Sequence, residues 1–107
     1  MEKKEVLENI SFQMVSAIHD ARSYYLKAIQ AARARAFAQA QQFIESGDER
    51  YNAGHAAHTQ LLQMEAAGDI TNVNLLVMHA EDQLISAENY KVLAIESIHI
   101  YQAIQEK

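Results

Sequence analysis

The chain has 107 residues, half of them hydrophobic, with three Gly and no Cys, Pro or Trp. This length makes one domain, residues 1–107, and the missing Cys excludes a disulfide framework, a Cys-based zinc site and a thiol nucleophile. Nine Lys and Arg against fourteen Asp and Glu give a net charge of -5, which disfavours nucleic acid as a partner.

The scarcity of turn residues argues against an all-β or α/β fold and predicts a few long helices. In the first, apolar residues recur every three or four positions, which predicts a core-facing side. This stripe comprises Leu7, Ile10, Met14, Ala17, Ala21, Tyr24, Ala28 and Ala31, widened by Ile18, Tyr25 and Ala32. His19 lies beside the stripe and is predicted to be partly buried. We place a turn at residues 33–36, although no Gly or Asn cap marks it.

The second segment contains Ser46-Gly47-Asp48, which resembles a break between helices. The apolar register nevertheless continues through it at Phe37, Ala40, Ile44, Gly47, Tyr51, Gly54, His58 and Leu61. An unbroken register favours one helix. Each Gly inside a helix costs about 1 kcal/mol relative to Ala, so Gly47 and Gly54 are predicted to allow close packing against a neighbouring helix.

The second helix is predicted to end near Gly68, a residue suited to a helix C-cap, and Asp69 or Thr71 is predicted to cap the third helix. Lys91 alone interrupts the apolar face of this third helix. That face comprises Val73, Val77, Ala80, Leu84, Ala87, Ala94, Ile98 and Tyr101. Three helices of similar length predict an antiparallel three-helix bundle.

The third helix carries a second face that mixes apolar and polar residues. Its members are Leu75, His79, Asp82, Ser86, Asn89 and Leu93. Such a face suits a subunit interface or a functional site. Residue spacing alone leaves a simpler alternative open, because His79 and Asp82 stand three apart and could form an ordinary pair on the helix surface.

The other histidines suggest a different alternative, an unrelated metal-binding bundle. His55 and His58, and Glu96 and His99, have the helical spacing of metal ligands. A di-iron bundle requires two Glu-x-x-His motifs, however, and the sequence contains one. His99 is predicted to be exposed. The sequence has no Gly-rich phosphate loop, no Gly-x-Ser-x-Gly and no His-Glu-x-x-His motif.

A membrane-spanning segment is not expected. No stretch approaches the roughly 20 apolar residues that a bilayer requires, and residues 1–5 do not open a signal peptide. We therefore expect a cytoplasmic protein without direct membrane insertion.

Several segments together resemble one known family. Residues 75–87, LLVMHAEDQLISA, resemble the signature L-x-V-H-A-Q-D-H-L-M-T of the lactose/cellobiose-type IIA components of the bacterial sugar phosphotransferase system. Further motifs of that family are matched in the same order by residues 21–23, Phe37, residues 54–61 and residues 65–68. The resemblance covers nearly the whole chain without a gap.

The resemblance implies a phosphocarrier that forms a homotrimer of nine helices. His79 stands at the phosphorylated position, where the family accepts a phosphoryl group from HPr and passes it to a cysteine of the IIB component. The IIC component then moves the sugar, here expected to be a β-disaccharide of the cellobiose, lactose or chitobiose class. Asp82 stands where three chains place three Asp around a metal ion on the trimer axis. The expected cofactor is therefore a divalent cation, Mg²⁺, shared by three copies of Asp82.

The sequence also departs from the family pattern. In the signature of the third helix, Glu81 replaces the usual Gln and Gln83 replaces the usual second His. On the second helix, His58 replaces a Gln. Arg35-Ala36 stands in place of the usual Gly-Asp of the turn, and His19 stands in place of a Gly. An added carboxylate beside the acceptor is expected to repel phosphate and slow its transfer. These departures leave an alternative function open, a non-catalytic helical regulatory or interaction protein that has kept the fold.

Overall fold

The computed structural model describes residues 2–70 and 74–106, which form three helices and no strand. Helix α1 spans Lys3–Arg33, α2 spans Phe37–Ala66 and α3 spans Leu75–Gln105. Each helix is about 45 Å long at 1.5 Å of rise per residue, and the molecule measures 58 × 18 × 18 Å. The predicted all-helical bundle and the predicted turn at residues 33–36 are confirmed.

Consecutive helices run antiparallel. Residues 34–36 reverse the chain between α1 and α2. Between α2 and α3, His58 contacts Glu81 while Asp48 contacts Lys91, so residue numbers fall along one helix as they rise along the other. Helix α1 packs against both of the others, and α2 and α3 contact each other least. A groove can therefore open between α2 and α3.

The buried residues of α1 follow the predicted stripe, apart from Tyr24, which is half-buried. They contribute to two clusters along the bundle. The cluster near residue 79 comprises Leu7, Ile10, Met14, Ile18, Ala57, Leu61, Ala80, Leu84 and Ala87. The other is rich in alanine and comprises Ala21, Tyr25, Ala28, Ala31, Ala32, Ala40, Ile44, Ala94 and Ile98. The predicted partial burial of His19 is wrong, because this edge of the stripe faces solvent.

Helix α2 continues through Ser46-Gly47-Asp48, as its register predicts. A Cβ atom on Gly47 would lie 2.6 Å from Cε1 of Tyr25, and one on Gly54 would overlap the side chain of Ile18. Real Cβ atoms do not approach neighbours this closely. Both glycines are therefore packing positions where α1 lies against α2, rather than breaks in the helix.

The turn between α1 and α2 is a Schellman motif with an arginine at its left-handed position. The N–H of Arg35 donates to the carbonyl of Ala32, and the N–H of Ala36 donates to that of Ala31, both at 2.9 Å. Arg35 has a φ of 63°, a region that disfavours residues with a Cβ atom. The end of α2 repeats this motif with Gly68, whose φ is 79°.

Replacing Arg35 with Gly is therefore expected to raise the free energy of unfolding by about 1 kcal/mol, since the left-handed conformation is no longer strained. Urea denaturation at one protein concentration measures the change. Gly68→Ala is the matched control at the equivalent position of α2, and it is expected to lower stability by a similar amount. A lower unfolding midpoint for Arg35→Gly would show that the arginine side chain itself stabilises the turn.

The end of α2 and the start of α3 differ in part from the prediction. Gly68 terminates α2 as expected, but Asp69 does not cap α3. Its N–H instead donates to the carbonyl of Met64 to complete the Schellman motif, and its carboxylate pairs with Lys3 at 2.7 Å. The N-cap of α3 is Asn74, whose side chain accepts the N–H of Val77 at 2.9 Å. Thr71 and Val73 lie outside the described residues.

Candidate functional site

Helix α3 exposes a largely apolar outward face. Leu75 is 82% exposed and Met78 is 57% exposed. Other large apolar side chains of this helix that are exposed are Ile85, Val92, Leu93, Ile100 and Ile104. Isolated exposed apolar residues are ordinary, but seven of them on one side of a helix indicate an interaction surface. The second face predicted for this helix therefore exists, and in a single chain it faces solvent.

A groove of about 750 Å³ lies between the last turns of α2 and the first turns of α3. Its lining is mainly apolar and includes Leu61, Leu62, Ile70, Leu75, Met78 and Ile85. The polar side chains that line it are His58, Glu65, His79, Glu81 and Asp82. Both residues singled out for chemistry in the sequence, His79 and Asp82, thus lie in the same groove.

His79 and Asp82 lie one turn apart on α3, and both are exposed. Within residues 2–70 and 74–106, neither side chain makes a hydrogen bond or an ion pair. They therefore do not form the surface pair that their spacing allowed. An exposed imidazole and an exposed carboxylate on one helix face remain available to other molecules.

Glu81 turns away from that face and contacts α2. The distance between its Oε1 and Nδ1 of His58 is 2.7 Å, and the two side chains are 35% and 21% exposed. A carboxylate only accepts hydrogen bonds, so Nδ1 of His58 donates. The sequence identified both residues as departures from the family pattern but gave no signal that they contact each other.

Gln83 contacts α1. The guanidinium of Arg22 donates to its Oε1, donates to the hydroxyl of Tyr90 at 3.4 Å, and lies 4.8 Å from the centroid of the Tyr90 ring. The residue that replaces the usual second His is thus held on the side of α3 that faces α1. Sequence reasoning missed Arg22 as its partner.

The remaining histidines do not assemble a metal centre. The ring centroids of His55 and His58 are 5.9 Å apart, but His99 lies far along α3 and is exposed, as predicted. Among the described residues, no three His, Asp or Glu side chains of one chain are placed to hold a metal ion. None of the described helices is long and apolar enough to cross a membrane.

A sequence model of the PTS system lactose/cellobiose-specific IIA subunit matches residues 9–102. The chain belongs to this family. The lichenan-specific phosphotransferase enzyme IIA component of Bacillus subtilis strain 168 is 34% identical over 103 residues, which are 96% of this chain and 94% of that protein. The lactose-specific EIIA component of Staphylococcus aureus strain N315 is also 34% identical, over 92% of this chain and 96% of that protein.

The IIA fold is matched in three dimensions as well. The crystal structure of the PTS cellobiose-specific enzyme IIA from Bacillus anthracis superposes with a TM-score of 0.90 at 35% identity, covering 94% of this chain and 93% of that one. The chain is thus a lactose/cellobiose-type IIA component of a sugar phosphotransferase system, which confirms the resemblance. The interpretation as an unrelated metal-binding bundle is wrong.

Proposed function

We propose that this IIA component is a phosphocarrier in which His79 accepts a phosphoryl group from phospho-HPr and passes it to a cysteine of IIB. The transfer would serve the uptake, through IIC, of a β-disaccharide of the cellobiose, lactose or chitobiose class. The IIA component itself would act in the cytoplasm. The observation that supports this most is the position of His79, an exposed imidazole in the groove between α2 and α3 with no partner among the described residues. Its imidazole is free to act as a nucleophile.

Each transfer exchanges one bond to phosphorus for another. A lone pair of the His79 imidazole forms a new N–P bond while the donor's bond to phosphorus breaks, and the bonding pair stays with the donor. In the second step the IIB sulfur forms the S–P bond, and the N–P electron pair returns to His79. Catalysis of this kind depends mainly on holding donor and acceptor in line.

Leu75 and Met78 form an exposed apolar rim of the groove beside His79. Apolar surface with few fixed hydrogen bonds is compatible with more than one binding partner, so this rim suits two successive partners. HPr and IIB must both reach His79, so we propose that they bind this rim in turn.

The proposal includes a homotrimer of nine helices with a divalent cation, Mg²⁺, on its axis. Asp82 is exposed on the outward face of α3, between the exposed apolar side chains of Leu75 and Ile85. One carboxylate cannot hold a hard cation, but a three-fold axis would bring three together, and carboxylate oxygens are ligands that Mg²⁺ prefers. Burial of the part of this face that follows Asp82, where Ile85, Val92 and Leu93 are exposed, would also remove apolar side chains from water and would leave Leu75 and Met78 accessible to HPr and IIB.

Light scattering is therefore expected to give a mass three times the 12.1 kDa of one chain, with one Mg²⁺ per three chains by elemental analysis. Asp82→Asn is expected to remove the bound cation and keep the trimer, since neutral amides no longer repel one another. Glu96→Gln, at another exposed carboxylate of α3, is the control and should keep the cation. A monomeric wild type, or full Mg²⁺ content in Asp82→Asn, would contradict the assembly.

The function itself is tested by incubating the wild-type chain with enzyme I, HPr and labelled phosphoenolpyruvate. One acid-labile phosphoryl group per chain is expected, and it should move to IIB when that component is added. The acidic residue Glu81 in the groove favours a second candidate, a non-catalytic regulatory or interaction protein. That candidate predicts a stable trimer that takes up no phosphate in the same assay.

A further inference from the structure

The groove around His79 carries an excess of negative charge. Carboxylates of Glu65, Glu81 and Asp82 line it, and no Lys or Arg is among its described lining residues. A phosphoryl group brings about two more negative charges, and an unpaired carboxylate several ångströms away repels it. Efficient transfer therefore requires that at least part of this charge be compensated.

His58 lies where it can compensate Glu81. Its Nδ1 is 2.7 Å from the Glu81 carboxylate, and both side chains are only partly exposed, so solvent screens their interaction less than it screens a pair at the open surface. The motifs that the sequence resembles carry a neutral Gln at both positions. This chain has ionisable residues at both, and the two contact each other across α2 and α3. Their charges can therefore cancel when the imidazole is protonated.

We propose that His58 is a positioning residue for phosphoryl transfer. Its imidazole holds the Glu81 carboxylate against α2 through their hydrogen bond and, in its protonated form, neutralises that carboxylate, so that the groove admits the negatively charged phosphoryl group at His79. The inference rests on the proposed phosphocarrier function. It assigns His58 no contact with the reacting atoms, because its effect is exerted through Glu81.

The test is the initial rate of phosphoryl uptake from phospho-HPr. His58→Gln keeps a hydrogen-bond donor to Glu81 and removes the charge, and we expect the rate to fall roughly tenfold, the order expected for one uncompensated charge near a dianionic group. The double variant His58→Gln with Glu81→Gln restores a neutral pair, and its rate is expected to recover to within about threefold of wild type. His58→Arg, which keeps the positive charge, is expected to stay near the wild-type rate.

His55→Gln is the matched control, because His55 lies one turn away on α2 and does not line the groove. Thermal unfolding of each variant checks that the fold is kept. An unchanged rate for His58→Gln would overturn the inference. A double variant as slow as the single one would also overturn it, because neutralising Glu81 would restore the rate if charge were the cause but could not restore lost packing. A wild type that takes up no phosphate would overturn the proposed function and this inference together, whereas the other two results leave the function standing.

Discussion

Replacing His79 with Gln is expected to abolish phosphoryl uptake from phospho-HPr. The amide nitrogen of Gln has no lone pair available for attack on phosphorus, so the acceptor itself is lost while the side chain stays polar. Loss of a nucleophile lowers a rate by about three orders of magnitude or more, which places the labelled product below detection. Because His79 is exposed and has no partner among the described residues, the fold is expected to be kept.

His99→Gln is the matched control, since His99 is also an exposed histidine of α3 but lies near the opposite end of the bundle. It is expected to take up phosphate like the wild type. Uptake that survives in His79→Gln and disappears in another histidine variant would move the acceptor to that histidine. Mass spectrometry of the labelled chain would then locate it.

Replacing Gly47 with Ala is expected to lower the free energy of unfolding by about 3 kcal/mol, through overpacking and a disturbed hydrogen bond. The added Cβ would lie 2.6 Å and 2.8 Å from two ring atoms of Tyr25, which is fully buried. The Tyr25 hydroxyl donates to Asp48 at 2.6 Å. Burial, reinforced by this hydrogen bond, raises the pKa of Tyr25 above its usual range. The ring cannot move aside without loosening that contact.

Urea denaturation at a fixed protein concentration measures the change. Helix propensity alone predicts the opposite sign, because Ala is better than Gly inside a helix by about 1 kcal/mol. Ala53→Gly, at an exposed position of the same helix, measures the effect of helix propensity alone and is expected to lower the free energy of unfolding by about 1 kcal/mol. A higher unfolding midpoint for Gly47→Ala would mean that Tyr25 relaxes freely and that the close packing is unimportant.

Periodicity and turn chemistry predicted the three helices because these features are local. The register through Gly47 was a better guide than the turn-like residues around it, since packing against Tyr25 explains the glycine. Local patterns were less informative at the ends of helices. Asp69 has the right chemistry for an N-cap, but the end of α2 already uses its N–H, and Asn74 caps α3 instead.

The family signature of α3 singled out His79 as a candidate, but the sequence did not reveal the contacts between helices. The pairing of His58 with Glu81 and that of Arg22 with Gln83 depend on how far each helix is rotated and shifted against its neighbour. Neither quantity is encoded in the spacing along one helix. The departures from the family pattern were visible as single residues, whereas their grouping into pairs required the three-dimensional arrangement.

The width of the groove depends on the distance between its two walls, α2 and α3. Because α1 contacts both α2 and α3 while these contact each other least, the separation of the two walls is determined mainly by the side chains that α1 places under each of them. Substitutions at buried positions of α1, such as Met14 or Ile18, can therefore widen or narrow the approach to His79 without altering any residue that a partner protein touches. Variation within the core of one helix is thus a route by which a IIA component of this kind can adapt to new partners.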